Sequence, residues 1–216
     1  ELHLETVIGA AADPLRLLSH YPKLIEGVRY AGWEQTVTLA ERQCDSLHSA
    51  AWNVIELYPG GEMLIPVSPC VEATNYATPV DAHYQTVGPR HISLRITGDR
   101  TYLVGYKAAH VLGRAGYLAP LGDGRSFLLV RNFFCDPSSL YLDEPPESPG
   151  HHGDSLRVYN DDGSYGGYGE LEVYGRAIGG ETARSTSTDS MALWLYVGAP
   201  ERLRRIAAHL LGIEMS

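Results

Sequence analysis

Basic side chains are scarce in this sequence, and long apolar runs are missing. Lysine and arginine number 17 against 26 aspartates and glutamates, which gives a formal net charge of −9. A surface that binds nucleic-acid phosphates needs an excess of positive charge, so the composition argues against a nucleic-acid partner. The longest apolar runs, 127–130 and 191–197, are too short to span a bilayer, so no membrane partner is expected.

Cysteine is also rare. Cys44, Cys70 and Cys135 are the three cysteines, and their spacing matches neither a zinc site nor a Cys-x-x-Cys pattern. An odd number of isolated cysteines is typical of unbridged thiols in a reducing compartment. Since no secretory signal is visible either, the sequence predicts a cytoplasmic location.

Two polar clusters resemble metal sites, but each has a simpler interpretation. His151 and His152, close to Asp143 and Asp154, are adjacent in a loop rich in proline and glycine, and neighbouring residues seldom reach one ion with good geometry. The segment 160–163 (NDDG) lacks the alternating ligands and the distal glutamate of a calcium loop and is typical of a hairpin turn. The sequence therefore predicts no metal and no cofactor.

Short segments with a period of two dominate the chain. The clearest is 90–98 (RHISLRITG), which places Ile92, Leu94 and Ile96 on one face of a strand. The first residues, 1–9 (ELHLETVIG), alternate in the way a half-buried strand does. Turn signals such as TGDR and LGDGR separate these segments, which favours an antiparallel β-sandwich formed by one domain, 1–216.

Helices are predicted in two places. The segment 13–24 begins with Asp13 as a candidate N-cap and Pro14 in the first turn. A C-terminal helix is predicted to begin near Pro200 and to end at Gly212, because an apolar stripe with helical spacing lies between them. The fold class is therefore all-β with a C-terminal helix.

The segment 156–175 (LRVYNDDGSYGGYGELEVYG) carries the main candidate chemistry. It predicts two strands joined by a connection rich in glycine and tyrosine. Glu170 and Glu172 are two residues apart, so both side chains lie on one face of the second strand. If that face is enclosed, the two carboxylates raise the pKa of one of them, which suits proton transfer. The alternative is that this face lies in solvent, as the polar face of many half-exposed strands does.

Several motifs together resemble the galactose mutarotase-like superfamily, and within it the families related to aldose epimerases. Their matching segments are RVYN at 157–160, GELE at 169–172, GGE at 179–181, ALWLYV at 192–197, the strand pair 52–66, GYK at 105–107 and VRNF at 130–133. The resemblance covers about residues 33–212. It implies an antiparallel supersandwich. The chain is short at its N-terminus for that fold, which implies either missing strands or a reduced version.

The resemblance also implies a role for Glu172. In the epimerases the glutamate of the Leu-Glu pair is the general base that takes a proton from the anomeric hydroxyl of the sugar. The histidine motif that supplies the acid in those enzymes is absent here, and Trp52 lies at or near its place. This departure favours a role other than ring-opening epimerisation.

Further residues are candidates because of their chemistry and their position on or beside predicted strands. Lys107, His83 and His91 are candidates for the acid or for the cation that stabilises an oxyanion. Candidate ligand-binding residues offer stacking or hydrogen bonds to a sugar ring: Trp52, Tyr159, Tyr168, Glu170 and Arg131. The competing interpretation is structural, since tyrosine is favoured in strands and a single strand histidine is usually structural or exposed.

Two functions of different classes are consistent with these residues. The first is an epimerase-like or isomerase-like enzyme that moves protons on a sugar or a related polar cyclic molecule, with Glu172 as base. The second is a non-catalytic module that binds a saccharide or another small molecule on the same face. A scaffold that binds a protein partner is a third possibility, because fold alone does not fix function.

Overall fold

The computed structural model describes residues 1–42, 47–142 and 152–215. Nearly half of the described chain forms β-strands. They are β1 (Leu2–Ala10), β2 (Arg29–Glu41), β3 (His48–Ser49), β4 (Trp52–Leu57), β5 (Gly61–Pro66), β6 (Ala73–Asn75), β7 (Gln85–Val87), β8 (His91–Ile96), β9 (Tyr102–Tyr106), β10 (Arg114–Pro120), β11 (Ser126–Phe133), β12 (Leu156–Asn160), β13 (Gly169–Tyr174), β14 (Ile178–Gly179) and β15 (Thr186–Gly198). Two helices accompany them, α1 (Tyr21–Leu24) and α2 (Pro200–Leu211), with 3₁₀ turns at Pro14–Leu17 and Gly180–Thr182.

The strands form two main antiparallel sheets. The large sheet has eight strands in the order β1-β2-β15-β11-β10-β5-β8-β7. The small sheet has five strands in the order β4-β13-β12-β9-β6, and β3 pairs with β14 separately. This arrangement confirms the all-β antiparallel prediction.

The main core lies between the two sheets. Alternate residues of the strands that face each other across it point into it, as the period of two predicts. Met63 and Leu94 come from the large sheet, and Val104, Val158 and Leu171 come from the small one, and all five are fully or nearly fully buried. The small sheet therefore has one apolar face against the core and one outward face that is available for polar side chains.

A second core lies on the other face of the large sheet, under α2. Leu203, Ile206 and Leu210 of this helix pack against residues such as Leu128 and Val130 of β11. Pro200 occupies the first turn, and Gly212 ends the helix in a left-handed conformation with φ 65°. The C-terminal helix was predicted at these positions, and the structure confirms it.

The segment 13–24 differs from the prediction of one short helix. It forms a 3₁₀ turn over Pro14–Leu17 and then a separate single helical turn, α1. Pro22 explains the break, because proline lacks an N–H and fits only the first turn of a helix. Asp13 does cap the first turn, since its carboxylate accepts a hydrogen bond from the Leu15 N–H at 2.9 Å.

Strand β1 forms where it was predicted, but it is not half-buried. Every one of its nine residues is exposed. β1 pairs with β2 at the end of the large sheet, and the small sheet does not cover it. The alternation in the sequence is therefore real, while the surface that would bury its apolar half is absent from the described residues.

Neither described helix is long and apolar enough to cross a membrane. Of the cysteines, Cys70 is exposed and Cys135 is half-buried, and both are free thiols. Burial raises the pKa of the Cys135 thiol, which makes it a poor nucleophile at neutral pH. Cys44 lies outside the described residues.

Candidate functional site

The outward face of the small sheet gathers polar side chains from neighbouring strands. β12 and β13 pair as the predicted hairpin, with Arg157 directly opposite Glu172. On its other side Glu172 is opposite Val54 of β4, and Arg157 is opposite Gly105 of β9. A glutamate and an arginine therefore lie side by side at the middle of this face.

Glu172 is enclosed and held by three donors. Its side chain is only 3% exposed. The Trp52 indole Nε1 donates to Oε2 at 3.0 Å, the Tyr174 hydroxyl donates to it at 2.9 Å, and the Arg157 Nη2 lies 3.1 Å from it. A carboxylate with such partners is stabilised in its charged form.

Arg157 is held between two tyrosine rings. Its guanidinium carbon lies 4.7 Å from the centroid of the Tyr76 ring and 4.4 Å from that of Tyr174. Both contacts are in the range of cation–π attraction. This stacking fixes the plane of the guanidinium group and therefore the direction from which it meets Glu172.

A second buried carboxylate, that of Asp154, lies over the next strand. Its oxygens accept hydrogen bonds from the Tyr76 hydroxyl at 2.8 Å and from the Thr74 hydroxyl at 3.4 Å. The space for it exists because residue 105 is glycine. A Cβ atom at Gly105 would lie 2.2 Å from Asp154 Oδ2 and 2.7 Å from Tyr76 Cε2.

Gly105→Ala is expected to lower the free energy of unfolding by about 1–3 kcal/mol, the usual cost of overpacking a well-filled site. The new methyl group must displace Asp154 or Tyr76. Tyr76 donates to Asp154, and its ring stacks on the Arg157 guanidinium, so either displacement disturbs these contacts. Urea unfolding of the two proteins measures the difference.

Gly9→Ala is the matched control for that substitution. Gly9 also lies in a strand, but no atom approaches within 4 Å of a Cβ placed there. We expect its free energy of unfolding to stay within about 0.5 kcal/mol of the parent or to rise slightly. Equal effects of the two substitutions would contradict the close packing at Gly105.

Glu170 lies on the same face as Glu172, as the spacing predicted, but in a different environment. Its strand neighbours are Tyr159 on one side and Glu56 on the other. Burial raises the pKa of Glu170, and the charges of Glu172 and Glu56 raise it further, while Arg157 acts in the opposite direction. The two glutamates of this strand therefore differ in their neighbours: Glu172 lies beside Arg157, and Glu170 lies beside Glu56.

Trp52 gives this face an exposed aromatic surface. Its side chain is 58% exposed, and its ring lies nearly parallel to that of Tyr174, with the centroids 6.4 Å apart and an angle of 23°. A cavity of about 320 Å³ lies beside it, lined by Ala50, Trp52, Leu142, Arg157 and Tyr174. The cavity is therefore lined both by aromatic rings and by Arg157, whose guanidinium contacts Glu172.

Tyr159 and Tyr168, two predicted ligand-binding residues, lie near Glu170. Their rings contact each other edge to face with centroids 6.0 Å apart. Burial and the neighbouring Asp161 raise the pKa of Tyr159 to about 12, so its hydroxyl stays protonated at neutral pH. This hydroxyl donates to Asp161 Oδ1 at 3.2 Å, so it offers a ligand an acceptor oxygen.

The connection between β12 and β13 is a hairpin loop, as its sequence predicted. Asp161 Oδ2 accepts hydrogen bonds from the N–H groups of Gly163, Tyr165 and Gly167 at 2.9–3.0 Å. Because the loop's own amides use this carboxylate, it is a poor candidate for a calcium ligand. Among the described residues no group of three or more possible metal ligands occurs, and His151 and Asp143 lie outside them.

Three predicted catalytic residues are not brought to Glu172. His91 lies on β8 of the large sheet. His83 is exposed, and its Nε2 lies 3.1 Å from Nη1 of Arg95, which is also a residue of β8. Lys107 follows the end of β9 and is exposed. In the described part of the chain no hydrogen bond or ion pair joins any of the three to Glu172.

Arg131 lies between the two sheets instead of lining the outward face. Its Nη1 donates to the carbonyl oxygens of Asn53 at 3.0 Å and Leu171 at 3.2 Å. These residues precede Val54 and Glu172, so Arg131 holds the two strands of the site from beneath. Burial lowers the pKa of its guanidinium to about 10. Arg131 is 1% exposed, and these contacts tie the two strands of the site together, while its role as a ligand-binding residue stays a prediction.

Sequence reasoning missed Arg157 and Tyr76, and it considered Asp154 only as part of a possible metal site. Arg157 could have been found, because a hairpin places it opposite Glu172 once the loop length fixes the strand register. Tyr76 could not, since it follows the three-residue strand β6, which has no clear alternation.

The fold and this face define an antiparallel β-sandwich with an aromatic–arginine–carboxylate cluster on the outward side of its small sheet. Comparisons with protein-family models, with curated proteins and with solved structures found no match.

Proposed function

We propose that the outward face of the small sheet binds a saccharide or a related polar cyclic molecule. Trp52 supplies an exposed aromatic surface beside a cavity of about 320 Å³, which is a suitable size for a small ligand. Sugar rings stack on such surfaces through their C–H faces, while their hydroxyls bond to carboxylates and guanidinium groups. The resemblance to the mutarotase-like superfamily supports the same class of ligand.

We further propose that the site transfers protons on this ligand. The observation that carries the proposal is the pair of glutamates with opposite environments. Glu172 is held charged by Arg157, while burial and two neighbouring carboxylates raise the pKa of Glu170. Two titratable groups separated in this way are typical of an acid and a base in one site. Glu172 is then the base, and Glu170 takes the place of the missing histidine as the acid.

The alternative function is binding without turnover. One observation favours it: Glu172 is only 3% exposed, and three donors already use its Oε2 atom. A base must reach the proton it removes, so this degree of enclosure suits a residue that positions Trp52 and Tyr174. In this case the cavity beside Trp52 binds the ligand and no proton moves.

A panel of monosaccharides, uronic acids and sugar phosphates, tested by thermal shift, decides whether the face binds sugars. A ligand that binds the folded state raises the midpoint of unfolding by mass action. We expect at least one sugar to do so, and we expect Trp52→Ala to abolish the shift. Tyr58→Ala, which removes an exposed aromatic ring elsewhere, is the control and retains it. No shift with any sugar would refute the carbohydrate proposal.

Exchange NMR on the sugar so identified separates the two functions. For proton transfer we expect Glu170→Gln to bind the sugar but to lose at least about 100-fold in rate, a usual contribution of a general acid. Glu62→Gln, which changes a half-buried glutamate of the large sheet, is the control. Binding without any exchange in the parent protein would refute the enzymatic proposal and leave the binding module.

A further inference from the structure

Strand β1 is the longest unpaired sheet edge in the described structure. The ends of the large sheet are β1, with nine residues, and β7, with three. Those of the small sheet are β4, with six residues, and β6, with three. Sheet edges are normally protected by proline, lysine, a bulge or a covering segment, because they otherwise pair with other chains. β1 contains neither proline nor lysine and pairs with β2 without a bulge.

The strand register shows which backbone groups of β1 are available. Glu1 and Arg42 exchange hydrogen bonds in both directions, and the Ala11 N–H donates to the Gly32 carbonyl. In an antiparallel ladder these groups alternate in direction. The odd-numbered residues of β1 therefore bond to β2. The N–H and C=O groups of the even-numbered residues point away from β2, and those residues are Leu2, Leu4, Thr6, Ile8 and Ala10.

The same even-numbered residues carry most of the apolar side chains of the strand. They share a face with Val37 and Leu39 of β2, which are buried. On β1 that apolar surface is uncovered: Leu2 is 57%, Leu4 is 61% and Ile8 is 65% exposed. An apolar face next to free backbone groups marks an interaction surface.

We propose that β1 pairs with β1 of a second copy of this chain, antiparallel about a two-fold axis at Thr6. In this register Thr6 is opposite Thr6 of the other copy, Leu4 is opposite Ile8, and Leu2 is opposite Ala10. All five outward pairs of backbone groups are then satisfied. The large sheets of the two copies become one continuous sheet, and Leu4 and Ile8 cover each other on its inner side.

The sequence of β1 selects this register over its neighbour. Shifting the axis to Glu5 would oppose the two Glu5 carboxylates, which is destabilising for like charges. At the Thr6 axis each Glu5 is opposite Val7, and His3 is opposite Gly9. Because this arrangement is self-complementary and places no like charges opposite, a second copy is the occupant that fits the edge.

Sedimentation equilibrium on the purified chain tests the association. We expect a mass twice that of the chain, and we expect Leu4→Lys to halve it, because an edge lysine blocks strand pairing. Leu17→Lys is the matched control, since Leu17 is another exposed leucine outside β1, and it retains the doubled mass. A parent protein that stays monomeric at high micromolar concentration would overturn the proposal, as would a doubled mass in Leu4→Lys.

Disulfide cross-linking tests the register. Opposed residues of a hydrogen-bonded pair have Cα atoms about 5.5 Å apart, within the range that a disulfide bridges. In a Cys70→Ser background, which removes an exposed thiol, we expect Thr6→Cys to form a covalent dimer on oxidation. Glu5→Cys is expected to cross-link much more slowly. The reverse order of rates would overturn the Thr6 axis.

Discussion

Arg157→Met is expected to lower the free energy of unfolding by about 3–5 kcal/mol, the usual cost of removing one partner from a buried ion pair. Glu172 is buried with Arg157 Nη2 3.1 Å from its Oε2. Without the guanidinium, the charge loses a cationic partner, while the neutral donors of Trp52 and Tyr174 remain close to Oε2. Since small proteins are stable by about 5–15 kcal/mol, the loss is large enough to measure by denaturant unfolding at neutral pH.

A double-mutant cycle attributes that loss to the buried charge. In Arg157→Met/Glu172→Gln the neutral amide still accepts hydrogen bonds from Trp52 and Tyr174, so we expect part of the stability to return. The expected coupling energy is about 1–3 kcal/mol, in the range measured for residues in one network.

The exposed pair of Arg125 and Asp123 is the control for the ion pair. Its two charges are 2.6 Å apart and about half-exposed. Arg125→Met is expected to change the free energy of unfolding by about 0–1 kcal/mol, as surface pairs do. If Arg157→Met costs no more than this control, Glu172 is not the enclosed carboxylate that the structure describes.

Raising the pH above about 10, the ordinary pKa of tyrosine, is expected to unfold the protein steeply. Burial raises the pKa of five buried tyrosines: Tyr102, Tyr106, Tyr117, Tyr141 and Tyr196. For Tyr117 the pKa is raised to about 12. Above about pH 10 the unfolded chain releases tyrosine protons that the folded chain retains. Because the unfolded state then binds fewer protons, stability falls as the pH rises.

The size of this effect follows from proton linkage. Each such tyrosine lowers the free energy of unfolding by about 1.4 kcal/mol per pH unit between its unfolded and folded pKa values. The five together remove about 7 kcal/mol per unit, which is comparable to the whole stability of a small protein. Arg131 opposes them by one proton, because burial lowers its pKa to about 10. The net change is still a loss.

Circular dichroism and tyrosinate absorbance, followed together during an alkaline titration, measure this transition. We expect the tyrosinate absorbance of the buried residues to appear at the same pH as the loss of the circular dichroism signal, because these tyrosines ionise only when the chain unfolds. The exposed tyrosines add a separate absorbance change that does not depend on unfolding. Tyr117→Phe removes one buried tyrosine and is expected to reduce the slope of the free energy of unfolding against pH by about 1.4 kcal/mol per pH unit. The substitution of the exposed Tyr165 by Phe is expected to leave this slope unchanged. Ionisation of all the tyrosines before the circular dichroism signal changes would contradict the raised pKa values.

The sequence by itself determined many of the longer elements of the fold. Alternation with a period of two predicts strands such as β8, and the turn residues between them predict antiparallel pairing. The apolar stripe of α2, with Pro200 at its start and Gly212 at its end, defines the C-terminal helix. The spacing of Glu170 and Glu172 places both on one face of β13 without any knowledge of the rest of the chain, because side chains alternate along a strand.

Only the tertiary structure decided which face of each strand is enclosed. Arg131 lies in β11, which is covered by α2 on one side and by the small sheet on the other. A strand buried on both faces shows no alternation, so its sequence could not show where the arginine points. The pairing of Glu172 with Arg157 depends on the register of β12 and β13, and the exposure of β1 depends on how far the small sheet extends. These are long-range facts, and local patterns do not contain them.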